Sequence, residues 1–202
     1  MSRAAILAAV RRGLPPPCEH PGAALPRALP GAARVARLAA ALEAAGGALV
    51  ELAAEEEIPA WLRRVHPRAL HVLSALPGLP GAGLGALSAS EPRDHAGLDL
   101  ALFRGELAVA ENGAVWVPAG NLPNPAALFL AEHVALVVRA GDVVADMHEA
   151  YARLGRAALP RYGVFVAGPS KTADIEQALV VGAHGPRSLA LLLVDGSAGV
   201  VS

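Results

Sequence analysis

The sequence predicts an α/β fold with a mostly parallel, Rossmann-like sheet and helices on both faces. Short apolar runs typical of buried strands alternate with amphipathic segments, and the last third reads strand, helix, strand, helix, strand. A hydrophobic share of 54% over 202 residues can bury a substantial core. We predict one α/β domain over residues 33–202, preceded by a helix and a proline-rich arm over residues 1–32.

In the first half, helical spacing and glycine stops define the elements. Val35, Leu38 and Leu42 share one helical face, and Gly46 ends that helix. Six prolines in residues 14–30 exclude helix and central strand there, so this segment is an extended arm. The predicted elements are helices over 3–12, 33–45 and 55–65, and strands over 48–52 and 69–73.

In the second half, turn and cap residues separate short apolar runs. Asn112-Gly113 is the strongest hairpin signal in the chain. Asp142 is well placed as the N-cap of a helix whose apolar face includes Val143 and Met147. The predicted elements are strands over 98–103, 107–110, 114–117, 133–139, 162–167 and 188–194, and helices over 124–130, 142–154 and 173–181.

Composition and charge exclude several classes of protein. A net charge of −1 argues against a general nucleic-acid binder, which needs a basic face. Cys18, the single cysteine, cannot form an internal disulfide or hold an iron–sulfur cluster alone, and the histidines show no metal-ligand spacing, so we expect no metal site. The long uncharged stretches are interrupted by prolines, so we expect a cytoplasmic protein without a membrane span.

One heptapeptide concentrates the rarest residues of the chain. Lys171 is the only lysine, Thr172 the only threonine and Gln177 the only glutamine, in a chain with 17 lysines and arginines in total. In a sequence dominated by alanine, arginine, glycine and proline, such crowding indicates a segment where side-chain chemistry matters. Chance combined with helix capping is the alternative explanation.

The segment around this heptapeptide is predicted to bind an anion. It follows the strand over 162–167 and is expected to open a helix, where free backbone N–H groups and the helix dipole favour a phosphate or carboxylate. Helix capping alone would explain its hydroxyl and acidic residues, but gives no reason for Lys171. It is not a P-loop, because the Gly-Lys-Ser/Thr spacing is absent. The candidate ligand-binding residues are Gly168, Ser170, Lys171, Thr172, Asp174 and Glu176.

Two further segments supply candidate acid/base groups. His184 lies in Ala-His-Gly-Pro, where a helix stop is as good an explanation as catalysis. Glu111 precedes the glycine turn between two strands, where a general base or ligand-binding carboxylate would sit. Asn112 and Gly113 of that turn are further candidate ligand contacts, and the alternative is an ordinary hairpin with a solvated glutamate.

Together these motifs resemble the LUD domain family. The similarity rests on residues 168–176, on His184-Gly185-Pro186 and on residues 110–113, covers most of residues 33–194 and is strongest over 165–193. Lys171 stands where the family commonly has arginine, which keeps the charge. Asn112 and Ala114 stand where it usually has a hydroxyl residue.

The resemblance implies a fold similar to ribose-phosphate isomerases, glucosamine-phosphate deaminases and CoA transferases. It also implies a role in oxidising L-lactate to pyruvate beside iron–sulfur partner proteins, with the clusters in the partners and no cofactor bound by this chain. Three hypotheses stay open: a non-redox component that binds a small carboxylate or phosphorylated ligand, an assembly or regulatory subunit without chemistry, and a sugar-phosphate isomerase or deaminase-like enzyme.

Overall fold

The computed structural model describes residues 2–15, 29–76, 97–122, 124–155, 162–173, 179–182 and 184–195. The helices of this part are α1 (Arg3–Gly13), α2 (Gly31–Ala44), α3 (Ile58–Val65), α4 (Ala127–Leu130) and α5 (Met147–Leu154). The strands are β1 (Ala48–Leu52), β2 (Val72–Ser74), β3 (Leu100–Arg104), β4 (Leu107–Val109), β5 (Val115–Pro118), β6 (His133–Arg139), β7 (Val143–Val144), β8 (Gly163–Val166), β9 (Lys171–Ala173), β10 (Leu179–Val181) and β11 (Ser188–Val194).

The central layer is a five-stranded parallel sheet in the order β1-β11-β6-β3-β2. From β1 the chain passes through α3 to β2 at the far edge, and it then returns strand by strand through β3 and β6 to β11. Strands β6 and β11 pair along their full lengths, and their near-continuous valine and leucine runs suit strands covered on both faces. The predicted α/β class is confirmed.

Helix α3 covers one face of this sheet. Its Ile58 and Trp61 are buried against a cluster that includes Leu100, Leu102 and Val137. Pro59 in the first turn keeps its fixed φ where no intrahelical N–H bond is needed, and Arg63 and Arg64 complement the C-terminal dipole. The helix begins at Ile58, because residues 55–57 form a 3₁₀ turn before it.

The opposite face is covered by α2 and by a second sheet in the order β7-β4-β5-β8. Leu38 and Leu42 of α2 are fully buried in this layer. Strands β4 and β5 form the antiparallel hairpin predicted at Asn112-Gly113, where Gly113 has φ +73°. The sequence predicts one sheet with helices on both faces and does not predict this second sheet. Strands as short as these carry no sequence signal that shows which sheet they join.

Two predicted helices differ in the structure. The helix expected over 142–154 begins only at Met147, and its N-cap is Asp146, whose side chain accepts the Glu149 N–H at 2.9 Å. Val143 and Val144 form β7 instead, because their β-branched side chains pair well with β4. The helix expected over 173–181 is wrong, since β9 and β10 occupy both of its ends.

The N-terminal predictions are confirmed only in part. Helix α1 is present, with Ser2 as its N-cap, and it leaves Ile6, Val10 and Leu14 exposed. The proline-rich arm falls mainly on residues 16–28, which lie outside the described residues. In the parts of the chain that the structure describes, no helix is long and apolar enough to cross a membrane.

Candidate ligand-binding site

Residues 168–173 run into a strand and not into a helix. β9 pairs antiparallel with β10, with Thr172 opposite Val180. The Ser170 N–H donates to the Pro186 carbonyl at 2.9 Å, and the Gly182 N–H donates to the Ser170 carbonyl at 2.9 Å. These bonds to distant residues outweigh the modest helix propensity of the segment. The helix N-terminus expected to supply amides to an anion is therefore absent here, and Asp174 and Glu176 lie outside the described residues.

The C-terminal turn of α2 contacts two of the predicted site segments. Gly168 has φ +78°, and a Cβ placed on it would lie 2.4 Å from the Ala45 carbonyl oxygen. Gly113 has φ +73°, and a Cβ there would lie 3.0 Å from the backbone N and Cα of Leu42. Both glycines are required by the close approach of α2, so their presence needs no ligand to explain it.

Lys171 lies beside the same turn of α2. Its Cε and Nζ atoms are 3.2 and 3.4 Å from the position of a Cβ on Gly46, and the side chain is exposed. The C-terminus of a helix carries a partial negative charge that an ammonium group stabilises. Contact with the end of α2 is thus a structural reason for the single lysine, a reason that sequence alone did not provide.

Glu111 and its turn have local partners. The Glu111 Oε2 atom accepts the Met147 N–H at 3.1 Å, in the first turn of α5. The Asn112 Oδ1 atom accepts the Ala114 N–H at 3.0 Å and closes the hairpin turn. Glu111 therefore helps to cap α5, and no described contact joins it to His184. A catalytic role for Glu111 stays a prediction.

A cavity of about 530 Å³ opens at the amino ends of β3, β6 and β11. His184 and Gly185 line it, and Ser170 packs directly behind Gly185, with its Cβ 2.9 Å from the position of a Cβ on that glycine. The structure thus brings together the two segments that the sequence singled out. The lining residues are Gly97, Leu98, Asp99, Phe129, Leu130, Ala131, Glu132, Gly182, His184, Gly185 and Arg187.

The charged residues of the cavity differ in what they already bind. The Asp99 Oδ2 atom accepts the Leu70 and His71 N–H groups at 2.7 and 2.8 Å, and the His71 bond first, then the Leu70 bond, lower the pKa of Asp99. Glu132 is paired with Arg187 at 2.8 Å. Arg187 uses only Nη1 in this pair and is 68% exposed, so other guanidinium donors stay free for a ligand.

His184 is the available acid/base group of the cavity. It is exposed and makes no hydrogen bond to any described residue. The described residues also contain no group of three or more His, Cys, Asp or Glu side chains that could hold a metal ion. The cavity thus holds two carboxylates that already have partners, Asp99 and Glu132, together with one imidazole and one partly free guanidinium. The imidazole and the guanidinium form a pair suited to a small molecule with a carboxylate and a hydroxyl group.

The model of the LUD domain matches residues 91–194, slightly more than half of the chain. The chain belongs to the LUD domain family. The matched region contains the cavity and all the candidate site residues. It begins later than residue 33, from which the sequence resemblance was expected to extend.

Curated relatives match slightly less than half of the chain. The chain is 31% identical over 101 residues to lactate utilization protein C of Shouchella clausii, covering 48% of this chain and 44% of that protein. It is 35% identical over 94 residues to lactate utilization protein C of Geobacillus thermodenitrificans, covering 44% of this chain and 39% of that protein. The chain thus spans less than half the length of the curated relatives it matches.

A solved structure supports the fold of this LUD domain protein. The crystal structure of a DUF162 family protein from Deinococcus radiodurans matches with a TM-score of 0.62 and 17% identity, over 83% of this chain and 99% of that chain. At this identity the likeness shows the fold alone.

A second group of polar residues was missed by the sequence analysis. On the α3 face of the sheet, the His133 Nδ1 atom lies 2.8 Å from the Ser188 Oγ atom, and the His66 and His133 rings lie 4.6 Å apart. His133 and Ser188 are the first residues of β6 and β11 and are level in the register. Both residues begin strands that the sequence predicts, and strands that start level in a parallel sheet place their first residues side by side. This shared position is the sequence feature from which the pair could have been predicted.

We expect the stability of this LUD domain to fall in mild acid because of His66. Burial, and then the charge of His133, lower the pKa of His66 below its usual value of about 6.5. As pH falls below about 6.5, His66 takes up a proton in the unfolded chain but stays neutral in the folded chain until a lower pH. The free energy of unfolding is therefore highest above about pH 6.5 and decreases as the pH falls below it. Urea unfolding at pH 7.5 and 5.5 measures the loss.

Two variants test the assignment to His66. His66→Gln should flatten the pH dependence of the unfolding free energy. His71→Gln should keep it, since the His71 side chain is 75% exposed. The assignment would be contradicted if the unfolding free energy of His66→Gln still depended on pH while that of His71→Gln did not.

Proposed function

We propose that this LUD domain protein is a cytoplasmic, non-redox component of L-lactate oxidation to pyruvate, acting with iron–sulfur partner proteins. Family membership and the lactate utilization protein C relatives support the lactate role. The single cysteine supports the division of labour, because this chain cannot hold a cluster by itself. The clusters would accept the electrons, while this chain would bind the organic acid.

The observation that carries the ligand proposal is the meeting of the two sequence motifs at the cavity. Ser170 packs behind Gly185, and His184, Gly185 and Arg187 face the cavity. Arg187 offers free donors to a carboxylate, and His184 could exchange a proton with a neighbouring hydroxyl group. The missing Cβ atoms of Gly182 and Gly185 make room for the side chains of Arg187 and Ser170, which pack against these glycines.

Calorimetric titration with L-lactate, pyruvate and a sugar phosphate tests this proposal. Arg187→Ala should weaken carboxylate binding by about tenfold or more, since hydrogen bonds to charged groups contribute about 1.5–3 kcal/mol. His184→Ala should weaken L-lactate more than pyruvate, because only lactate has the hydroxyl group. Lys171→Ala is the matched control, because this cation lies over Gly46 and does not line the cavity.

The same titrations can refute the cavity assignment. If Lys171→Ala abolishes binding while Arg187→Ala leaves it unchanged, the ligand binds beside residues 168–171 and not in the cavity. If the wild type binds none of the three compounds, the proposed ligand role is wrong.

An assembly role without chemistry is the second candidate. Glu111, Gly113, Gly168 and Lys171 all have structural contacts that explain them without a ligand. Phe129 and Leu130, at the rim of the cavity, are also 49% and 45% exposed, and exposed apolar residues are common in docking surfaces. Co-purification with the iron–sulfur proteins, in both redox states, tests this role, and failure to associate in either state would contradict it.

The isomerase hypothesis has the least support. It requires a base and an anion clamp that converge on one pocket. Glu111 contacts the start of α5 and Lys171 contacts the end of α2, and neither lines the described cavity.

A further inference from the structure

A second group of charged residues lies at the opposite edge of the large sheet from the cavity. Arg104 ends β3, Arg139 ends β6, and Glu55 lies in the turn between β1 and α3. The parallel register aligns Arg139 with Val194 of β11, and Val194 with Leu52 at the end of β1. The two arginines and the glutamate therefore share the carboxyl edge, where open α/β sheets usually bind ligands.

Arg104 is held in the geometry of a ligand-binding arginine. Its Nη1 and Nη2 atoms donate to the two carboxylate oxygens of Glu55 at 2.9 and 2.7 Å. The Asn121 Nδ2 group donates to the Arg104 carbonyl at 2.9 Å, which fixes the end of the strand. Such a two-pronged contact is how arginine recognises the carboxylate or phosphate of a bound molecule.

The group has more positive than negative charge. Arg139 is exposed and makes no hydrogen bond or ion-pair contact within the described residues. The hydrogen bond from Arg104, and to a lesser extent the charges of Arg104 and Arg139, lower the pKa of Glu55 against the opposing effect of burial. Glu55 is thus ionised at neutral pH, and one carboxylate faces two guanidinium groups.

The pair is accessible to solvent. The Arg104 and Glu55 side chains are 31% and 38% exposed. Glu55 belongs to a short 3₁₀ turn at the protein surface, so its side chain can rotate away without any change in the sheet. An anion from solution can therefore compete with Glu55 for Arg104.

We propose that Arg104 and Arg139 form a binding site for a small oxyanion, a carboxylate or a phosphate, which the Glu55 carboxylate occupies when no ligand is present. The incoming anion displaces Glu55, takes the paired donors of Arg104 and gains the free guanidinium of Arg139. This site is separate from the cavity with His184, so it does not depend on the function proposed for that cavity.

The test removes the internal competitor. Wild type, Glu55→Gln and Glu57→Gln are titrated with inorganic phosphate and, separately, with acetate at constant ionic strength. The backbone amide NMR signals of the whole chain are followed, and those of Arg104, Asn121 and Arg139 report on the proposed site. Glu57→Gln is the matched control, since Glu57 is exposed in the same turn and the variant loses the same charge.

Glu55→Gln should bind at least one of the two anions at least about fivefold more tightly than wild type, because a unit negative charge leaves the arginine pair. Glu57→Gln should bind like wild type, and adding Arg139→Ala to Glu55→Gln should remove the gain. The anion that shows the gain identifies the ligand as phosphate or carboxylate.

Equal affinities for Glu55→Gln and Glu57→Gln would overturn the proposal. So would signal changes confined to Asp99 and Arg187, because binding would then belong to the cavity. Thermal melting checks that Glu55→Gln is folded. If it is not, Arg139→Ala alone should weaken the phosphate or acetate response of the wild-type chain, and an unchanged response would reject the site.

Discussion

Replacing Gly168 by alanine is expected to lower the free energy of unfolding by about 2–5 kcal/mol. The left-handed backbone at φ +78° costs a residue with a side chain about 1–2 kcal/mol. The new Cβ would also lie 2.4 Å from the Ala45 carbonyl oxygen, so the loop after β8 and the end of α2 must move apart, a strain of about 1–3 kcal/mol. Urea unfolding followed by circular dichroism measures the change.

Gly97→Ala is the matched control for this variant. Gly97 has a similar positive φ, +86°, but no atom lies within 4 Å of its added Cβ. It should therefore cost only the backbone strain of a positive φ, about 1–2 kcal/mol. Similar losses in both variants would show that the contact between residue 168 and α2 does not stabilise the fold. A much larger loss at Gly168 would confirm that its glycine serves packing.

The sequence predicts those parts of the fold whose signals are local. Asn112-Gly113 identifies the β4–β5 hairpin, because few residue pairs adopt the backbone of a tight turn easily. Gly46 marks the end of α2, and its φ of +83° is the conformation that glycine supplies at a helix end. Strands β6 and β11 are long and uniformly apolar, so both were predicted with their observed bounds.

The segment after Lys171 shows where local signals fail. Its residues favour neither helix nor strand strongly, and the outcome depends on bonds that link Ser170 to Gly182 and Pro186. These partners are distant in sequence, so the helical spacing predicted a helix where a hairpin forms. Similarly, Asp142 and Asp146 are both reasonable N-caps, and only the pairing of Val143 with Ala108 selects Asp146.

The meeting of the candidate segments had no local signal either. The sequence places residues 168–176 and 184–186 at opposite ends of an expected helix, whereas the structure joins them through the Ser170–Gly185 contact. Asp99 and Arg187 were missed, since they enter the cavity only because β3 and β11 begin at the same edge. The Glu55–Arg104 pair crosses 49 positions of sequence and has no local signal.

Phe103→Ala is expected to destabilise the protein by about 3–5 kcal/mol, the range typical for removing a buried aromatic ring. Phe103 is fully buried in β3, opposite Leu136 of β6, and it packs in the layer shared with Leu38 of α2. Because small domains are stable by only about 5–15 kcal/mol, this loss is a large fraction of the total. Denaturant midpoints of the purified variant measure it.

Phe129→Ala is the control for Phe103→Ala, because it also removes an aromatic ring but not one that is buried in the core. Phe129 lies in α4, is 49% exposed and lines the cavity with His184, so its removal should cost less than about 1 kcal/mol of stability. If the cavity binds a ligand, Phe129→Ala should weaken that binding while leaving the unfolding midpoint almost unchanged. Equal destabilisation by Phe103→Ala and Phe129→Ala would contradict this placement of the core. A stable Phe129→Ala variant with altered binding would instead assign the exposed ring to the site.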